Sequence, residues 1–307
     1  MVKSKIGLLL LVSTIVSYTL QKKYSFRNKT IFITGGTKGI GAAIGKYLVE
    51  NEHISTLVVC SSNKQNVDRA RELFRSCKTN VDVFSVQCDV TNSKEVDQVV
   101  HKFCPDMIIT SAGVNTCKHF RNTTNEDFRK QFEVDCLGVI NCTRSAVKHM
   151  SSYKRHCKIV NISSLLTTFP LVGYSAFCAG KGAVGLALDS IQNEHSKDKL
   201  TVHHVLAPAV DTDMLSEEKT IDELVRIFGE GHDCGADEFA RYVIRGIKSN
   251  HKYITYDKNW SYKAATIIAD SSNIPRSFYQ VVYNCVFLVP SYIVNVLQKK
   301  YILSKNK

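Results

Sequence analysis

The sequence predicts a single α/β domain built on a doubly wound, seven-stranded parallel sheet, and three observations lead there. Seven short runs of apolar and β-branched residues read as buried strands: TIFITGG from Thr30, TLVVCSS from Thr56, VDVFSVQCDV from Val81, DMIITSAG from Asp106, CKIVNISS from Cys157, LTVHHVLAP from Leu200 and KYITY from Lys252. Amphipathic stretches alternate with them at Ile40 to Glu50, Gln65 to Cys77, Ser93 to Phe103, Asn125 to Ser152, Ala176 to His195 and Ala236 to Ser249. A glycine-rich turn, TGGTKGIG, joins the first strand to the first helix. Strand and helix in strict alternation require right-handed crossovers, and a ligand then belongs beyond the carboxyl ends of the strands.

A chain of 307 residues with 44% hydrophobic content can bury a full core, and no repeat period divides it. The pattern places an apolar anchor with basic flanks at 1–27, the α/β domain at 28–260 and an apolar tail at 261–307. The formal charge of +12 comes from 40 basic and 28 acidic residues, but six basic residues precede Ile31 and four follow Leu297, so the body between is nearly neutral. Basic ends beside apolar runs suit a membrane surface with anionic head groups and argue against nucleic acid as a partner. The run Ile6 to Leu20 has no charge and no proline, and Gln21-Lys22-Lys23 follows it in place of a small-residue cleavage pattern. We therefore expect a retained anchor with the main body on the cytosolic side. The second run, Val281 to Leu297, is interrupted by Asn284, Pro290 and Asn295, which leaves a kinked hairpin, a surface helix and a core helix all open.

The strand ends supply the candidate ligand contacts. Gly35, Gly39 and Gly41 follow the spacing G-x-x-x-G-x-G, which permits a tight turn and close backbone approach to a pyrophosphate at a helix N-terminus. The second strand ends in Cys60-Ser61-Ser62-Asn63-Lys64, without the acid that would hold a ribose hydroxyl of NAD. Lys38 and Lys64 could pair a 2′-phosphate instead, so NADPH is expected over NADH, with a solvated loop lysine the alternative at Lys64. Asp89, after the third strand, suits an adenine amino group, and Ser111, Ala112 and Gly113, after the fourth, are small enough for backbone contact with a nucleotide. Eleven cysteines between Cys60 and Cys285 show no C-x-x-C and no metal spacing, and they read as reduced thiols. No metal site is expected.

Taken in order, TGGTKGIG, CDV, SAG, FEVDCLGVIN, IVNISS, FCAGKGAV and PAVDTDM resemble the short-chain dehydrogenases/reductases, a family with the Rossmann fold. The anchor, the DTDM stretch and the tail after Ala236 are most similar to the branch of that family that reduces 3-ketodihydrosphingosine. The resemblance implies NADPH-dependent reduction of a lipid ketone in sphingolipid synthesis, at the endoplasmic reticulum membrane with the main domain facing the cytosol, by a protein that pairs as a homodimer. It also implies that Thr37, Ile40, Val90, Pro208, Val210 and Thr212 join the cofactor contacts. In the family a serine binds the ketone oxygen, a tyrosine protonates it, a lysine holds the ribose and lowers the tyrosine pKa, and an asparagine completes a water chain to the lysine. By motif, Ser164 takes the serine role and Lys181 the lysine role.

Two positions depart from that pattern: Phe177 stands at the tyrosine position and Asp135 at the asparagine position. A phenyl ring has no proton to give. A positioned general acid contributes roughly 10²- to 10⁴-fold, so fast turnover needs a substitute. Tyr174, three residues before Phe177, Asp135 in a protonated form, and Lys181 acting through water are the candidates. Three readings follow: a reductase of 3-ketodihydrosphingosine, a reductase of very-long-chain 3-ketoacyl-CoA, or a membrane scaffold that binds NADP(H) with impaired catalysis.

Overall fold

The computed structural model describes residues 23–77, 80–153, 156–195, 197, 200–216 and 231–256. The anchor run Ile6 to Leu20 and the tail run Val281 to Leu297 lie outside the described residues. Among the described residues no helix is long and apolar enough to cross a membrane.

Seven parallel strands form the central sheet in the order β3-β2-β1-β4-β5-β6-β9. They are β1 (Thr30–Thr34), β2 (Thr56–Ser61), β3 (Asp82–Gln87), β4 (Met107–Thr110), β5 (Lys158–Ser164), β6 (Thr201–Ala207) and β9 (Tyr253–Thr255), each within an expected run. The order reverses between β1 and β4, so a crevice opens at the carboxyl ends of those two strands. A separate parallel pair, β7 (Val210–Asp211) with β8 (Cys234–Gly235), was not expected from the sequence. Its two-residue strands are too short to carry a period.

Helices cover both faces. The side chains of β1 alternate between them: Ile31 and Ile33 pack with Ile44 and Leu48 of α1 (Gly39–Asn51), Phe74 of α2 (Lys64–Arg75) and Phe239 and Val243 of α8 (Ala236–Lys248). Phe32 points the other way, into a cluster with Val96 of α3 (Ser93–Phe103), Cys142 of α5 (Gly138–Tyr153) and Val184 and Leu188 of α6 (Ser175–Glu194). Cys60, Cys88, Cys142 and Cys157 are buried free thiols, as the unpatterned cysteines suggested.

One expected helix is corrected. The span Asn125 to Ser152 is not continuous: α4 (Asn125–Phe132) passes into a π-helical turn at Glu133–Leu137 before α5 resumes. The turn is closed by a hydrogen bond from the Gly138 amide to the Glu133 carbonyl, one residue wider than an α-helical bond, and it rotates the residues within it. The start of α4 is fixed by a capping box between Thr124 and Asp127. The Lys118 ammonium, 2.7 Å away, and the Thr124 amide hold the Asp127 carboxyl down at about 2.

Phe239 is wholly buried between α1 and the sheet. Phe239→Ala is expected to cost about 3 to 5 kcal/mol of stability, measured as a lower midpoint of urea unfolding with an unchanged slope.

Candidate active site

The cradle at the crevice is built from backbone that tolerates no side chains. Gly35 and Gly39 adopt φ values of +62° and +56°, which favour glycine. A Cβ on Gly35 would lie 2.7 Å from the Ala112 amide nitrogen and Cα, and one on Gly41 would lie 2.5 Å from the Gly35 carbonyl oxygen. The glycine turn, the start of α1 and the loop after β4 therefore touch through main chain. Thr34 secures them, its carbonyl accepting from the Ser111 amide at 3.1 Å and its hydroxyl from the Ala112 amide at 3.3 Å. Thr37 is buried, and Ile40 packs against the core.

The N-terminus of α1 has no acid in its first turn and no side-chain cap, because Lys38 occupies the cap position. Its amides and dipole suit an anion. Thr212 approaches the same turn, 3.3 Å from where a Gly39 Cβ would be, and Asp213, at the start of α7 (Asp213–Ser216), lies 3.7 Å from the Lys38 ammonium. Pro208 and Val210 lead into that stretch from the end of β6. Ser61 accepts from the Asn63 amide at 3.2 Å, and Lys64, exposed, opens α2. Asp89 spends one oxygen, Oδ1, on the Thr91 amide and hydroxyl, both at 2.9 Å. Val90 is buried, and its carbonyl accepts from Asn141 at 2.9 Å. These residues fit a dinucleotide: a main-chain cradle and a helix whose own first turn carries no acid, with Lys38, paired to Asp213, at its cap.

Deeper in the crevice lies a buried charge pair. Asp135, in the π-helical turn, is 0% exposed, and its Oδ1 is 3.2 Å from the Lys181 ammonium. Lys181, itself buried in α6, also donates to the Ile162 carbonyl of β5 at 3.1 Å. Gln131, one turn before Asp135 and fully buried, donates from Nε2 to the Val114 carbonyl at 2.7 Å and to Asp135 Oδ2. Burial pushes the Asp135 carboxyl above the usual carboxylate range, and Lys181, Gln131 and the Val114 backbone oppose that shift without cancelling it. Gly113 makes the approach possible, since a Cβ there would sit 2.7 Å from Asp135 Oδ1 and 3.4 Å from Lys181 Nζ.

Ser164 ends β5, two residues beyond the carbonyl that Lys181 holds. Its Oγ accepts from the Leu166 amide at 3.1 Å and caps the 3₁₀ turn Leu165–Thr167, while its hydroxyl proton is still available to donate. Cys178 of α6 donates to the Leu166 carbonyl at 3.4 Å, so the first turns of α6 are tied to the end of β5 at two points. Phe177 is half-buried on the same helix, with Lys181 Nζ 6.0 Å from its ring centre. Tyr174 occupies the cap position of α6, as its place in the sequence suggested, and packs edge-on against Phe177 with 5.9 Å between ring centres.

Ser164, Phe177, Lys181, Asp135 and Tyr174 thus share one neighbourhood, beside the loop of Ser111, Ala112 and Gly113. Sequence reasoning missed Gln131 and the carbonyls of Val114 and Ile162. The spacing of Gln131 four residues before Asp135 was the available signal.

The model of the family described as short chain dehydrogenase matches residues 29–222. The chain belongs to that family, and by descent it is an oxidoreductase. It is 26% identical over 276 residues to the 3-ketodihydrosphingosine reductase of Dictyostelium discoideum, covering 81% of each chain. It is 28% identical over 235 residues to the 3-oxoacyl-(acyl-carrier-protein) reductase FabG of Rickettsia typhi, covering 75% of this chain and 93% of that one. Among solved structures, a short-chain type dehydrogenase/reductase from Mycobacterium ulcerans is similar with a TM-score of 0.65 at 18% identity, over 73% of this chain and 84% of that one. A 7α-hydroxysteroid dehydrogenase complexed with NADH and 7-oxo glycochenodeoxycholic acid is similar with a TM-score of 0.66 at 16% identity, over 76% of this chain and 94% of that one.

Because the folded state holds Asp135 at a raised pKa, it binds more protons than the unfolded chain, and its contribution to stability is lost as pH rises through the folded value. Asp135→Asn removes that titration. The variant is expected to gain stability relative to wild type as pH rises from about 4 toward neutrality, read as the difference in thermal midpoint at each pH. Gly113→Ala is expected to lower the midpoint at every pH by driving a methyl group into the pair.

Proposed function

We propose that this protein reduces a long-chain ketone with NADPH, 3-ketodihydrosphingosine being the preferred substrate. The observation that carries this reading is the Ser164 hydroxyl and the Lys181 ammonium, fixed to one strand end beside an intact main-chain cradle. The likeness to the Dictyostelium discoideum reductase over 81% of both chains supports the substrate. Lys38 and Lys64 at the rim, with no acid after β2, support NADPH over NADH.

When bound, NADPH supplies hydride to the ketone carbon. Gly35, Gly39 and Gly41 would let its phosphates reach the α1 amides, Ser111 to Gly113 would line its sugar side, and Lys181 would hold the ribose. Ser164 Oγ–H donates to the ketone oxygen and orients the carbonyl. As negative charge develops on that oxygen, the Lys181 ammonium, held in place by the Ile162 carbonyl and Asp135, stabilises it.

The basic-flanked run before the domain supports a site at the endoplasmic reticulum membrane facing the cytosol, where a substrate that costs ~0.8 kcal/mol per CH₂ to bring into water is concentrated. A homodimer joined through α5 and α6 belongs to the same proposal. A second reading rests on Phe177: a protein that keeps NADPH without turning it over, as a membrane scaffold.

The test is oxidation of NADPH by the full-length protein in detergent with 3-ketodihydrosphingosine, and with a 3-ketoacyl-CoA as the competing substrate. Turnover with the first ketone alone is expected, and Ser164→Ala should lower it about 10²- to 10³-fold. Binding of NADPH without oxidation by either ketone, with turnover appearing in Phe177→Tyr, would establish the scaffold instead.

A further inference from the structure

We propose that Lys181 is the proton donor to the ketone oxygen in this chain, and that Gln131 is the residue that positions its counter-ion, Asp135. The proposal rests on the reductase reading and deepens it.

The argument begins with the amide of Gln131. Its Nε2 faces two oxygens, the Val114 carbonyl at 2.7 Å and Asp135 Oδ2. A carbonyl can only accept, so the nitrogen must point that way, and this orientation holds even though it leaves Gln131 Oε1 buried without a hydrogen-bond partner among the described residues. Asp135 Oδ2 is thereby fixed as an acceptor. Any proton on this carboxyl must sit on Oδ1, the oxygen that faces Lys181 Nζ at 3.2 Å. The amide thus aims one carboxylate oxygen at one ammonium, the carboxylate wholly buried and the ammonium keeping a small opening to solvent.

The ammonium has three N–H groups, of which one goes to the Ile162 carbonyl, while Asp135 Oδ1 stands 3.2 Å away as an ion-pair contact without a hydrogen bond among the described residues. The other two N–H groups are left for the nucleotide ribose and for the ketone oxygen. Gly113 has no side chain to cover Nζ, and the Phe177 ring lies 6.0 Å away. Phe177 has no hydroxyl to stand between the lysine and the ketone, so the lysine proton transfers directly or through one water. The ketone carbon gains hydride and is reduced. The C=O π pair forms a new O–H bond, Lys181 loses one N–H bond and keeps its electron pair, and solvent returns the proton to the amine. Asp135 keeps its charge throughout and draws the replacement proton to Nζ.

The groups that face Asp135 are Lys181 from α6 and Cys136 on its own turn, whose thiol is raised by burial and then by the Asp135 charge. Lys181 is the cation of the set, which makes Gln131 the remaining donor to test.

The experiment uses the full-length protein with NADPH and 3-ketodihydrosphingosine in detergent. Lys181→Arg keeps a cation but cannot give up its proton, and turnover should fall at least about 100-fold while NADPH binding, followed by its fluorescence, changes only a few-fold. Gln131→Leu should lower kcat about 10-fold at unchanged KM and shift the pH profile of kcat. In the protein without nucleotide, the thermal deficit of Gln131→Leu should be larger at about pH 8 than at about pH 4.5, because the lost donor matters most to a charged Asp135. A merely structural glutamine would give the same deficit at both. Turnover retained in Lys181→Arg, turnover abolished by Tyr174→Phe, or a deficit independent of pH would each overturn the proposal and leave the reductase reading standing. A silent wild type that binds NADPH would overturn both.

Discussion

The site depends on a charge pair held almost wholly out of water. Moving a carboxylate and an ammonium out of water costs several kcal/mol per ion even after relaxation, and attraction repays it only with close geometry and further hydrogen bonds. Asp135 and Lys181 meet that condition through the 3.2 Å contact, the Gln131 amide and the Ile162 carbonyl. The local architecture follows from holding those atoms together. A Cβ on Gly180 would stand 3.3 Å from the Gln131 carbonyl and 3.5 Å from the Asp135 Cβ, so α6 presses on the end of α4 where it carries no side chain. Gly113 plays the same part from the loop after β4. The π-helical turn sets the rotation of Asp135 between the two.

This pair is also coupled to the nucleotide cradle. Ala112 touches Gly35 through main chain, and the adjacent Gly113 touches Asp135 and Lys181. Two consecutive residues therefore join the glycine end of the crevice to the charge pair, and the loop is anchored to Thr34 at the end of β1 by the amides of Ser111 and Ala112. A dinucleotide laid across this loop cannot bind without contacting the backbone that supports the pair.

Much of this was legible in the sequence, for physical reasons that differ by element. Parallel strands buried on both faces read as continuous apolar runs, so TIFIT and KIVNIS stood out. Gly35 and Gly39 were legible because positive φ selects glycine. The π-helical turn was not, because FEVDCLG keeps a helical composition and one extra residue in a turn changes no residue type. Gln131 was hidden for a related reason: a glutamine in a helix is ordinarily a solvated surface residue, and only the docking of Val114 above it reveals a buried donor. Asp89 was placed correctly at a strand end, yet the sequence did not show that Thr91 takes one of its oxygens.

Phe177 and Asp135 both lie against the same lysine. With a tyrosine at position 177, a lysine cation serves to make a phenol more acidic, and a water-linked asparagine is sufficient company for it. With phenylalanine there, the cation has no phenol to act on at that position. A carboxylate in direct contact, together with an aromatic face 6.0 Å away, holds positive charge at that point. Charge fixed in place before a reaction is the kind of term that counts most where dipoles need no reorganisation. A carboxylate that replaced the asparagine by drift alone would be an uncompensated buried charge. The aligned amide of Gln131 and the bare Cα of Gly113 are the compensations that make it tolerable, and both are present.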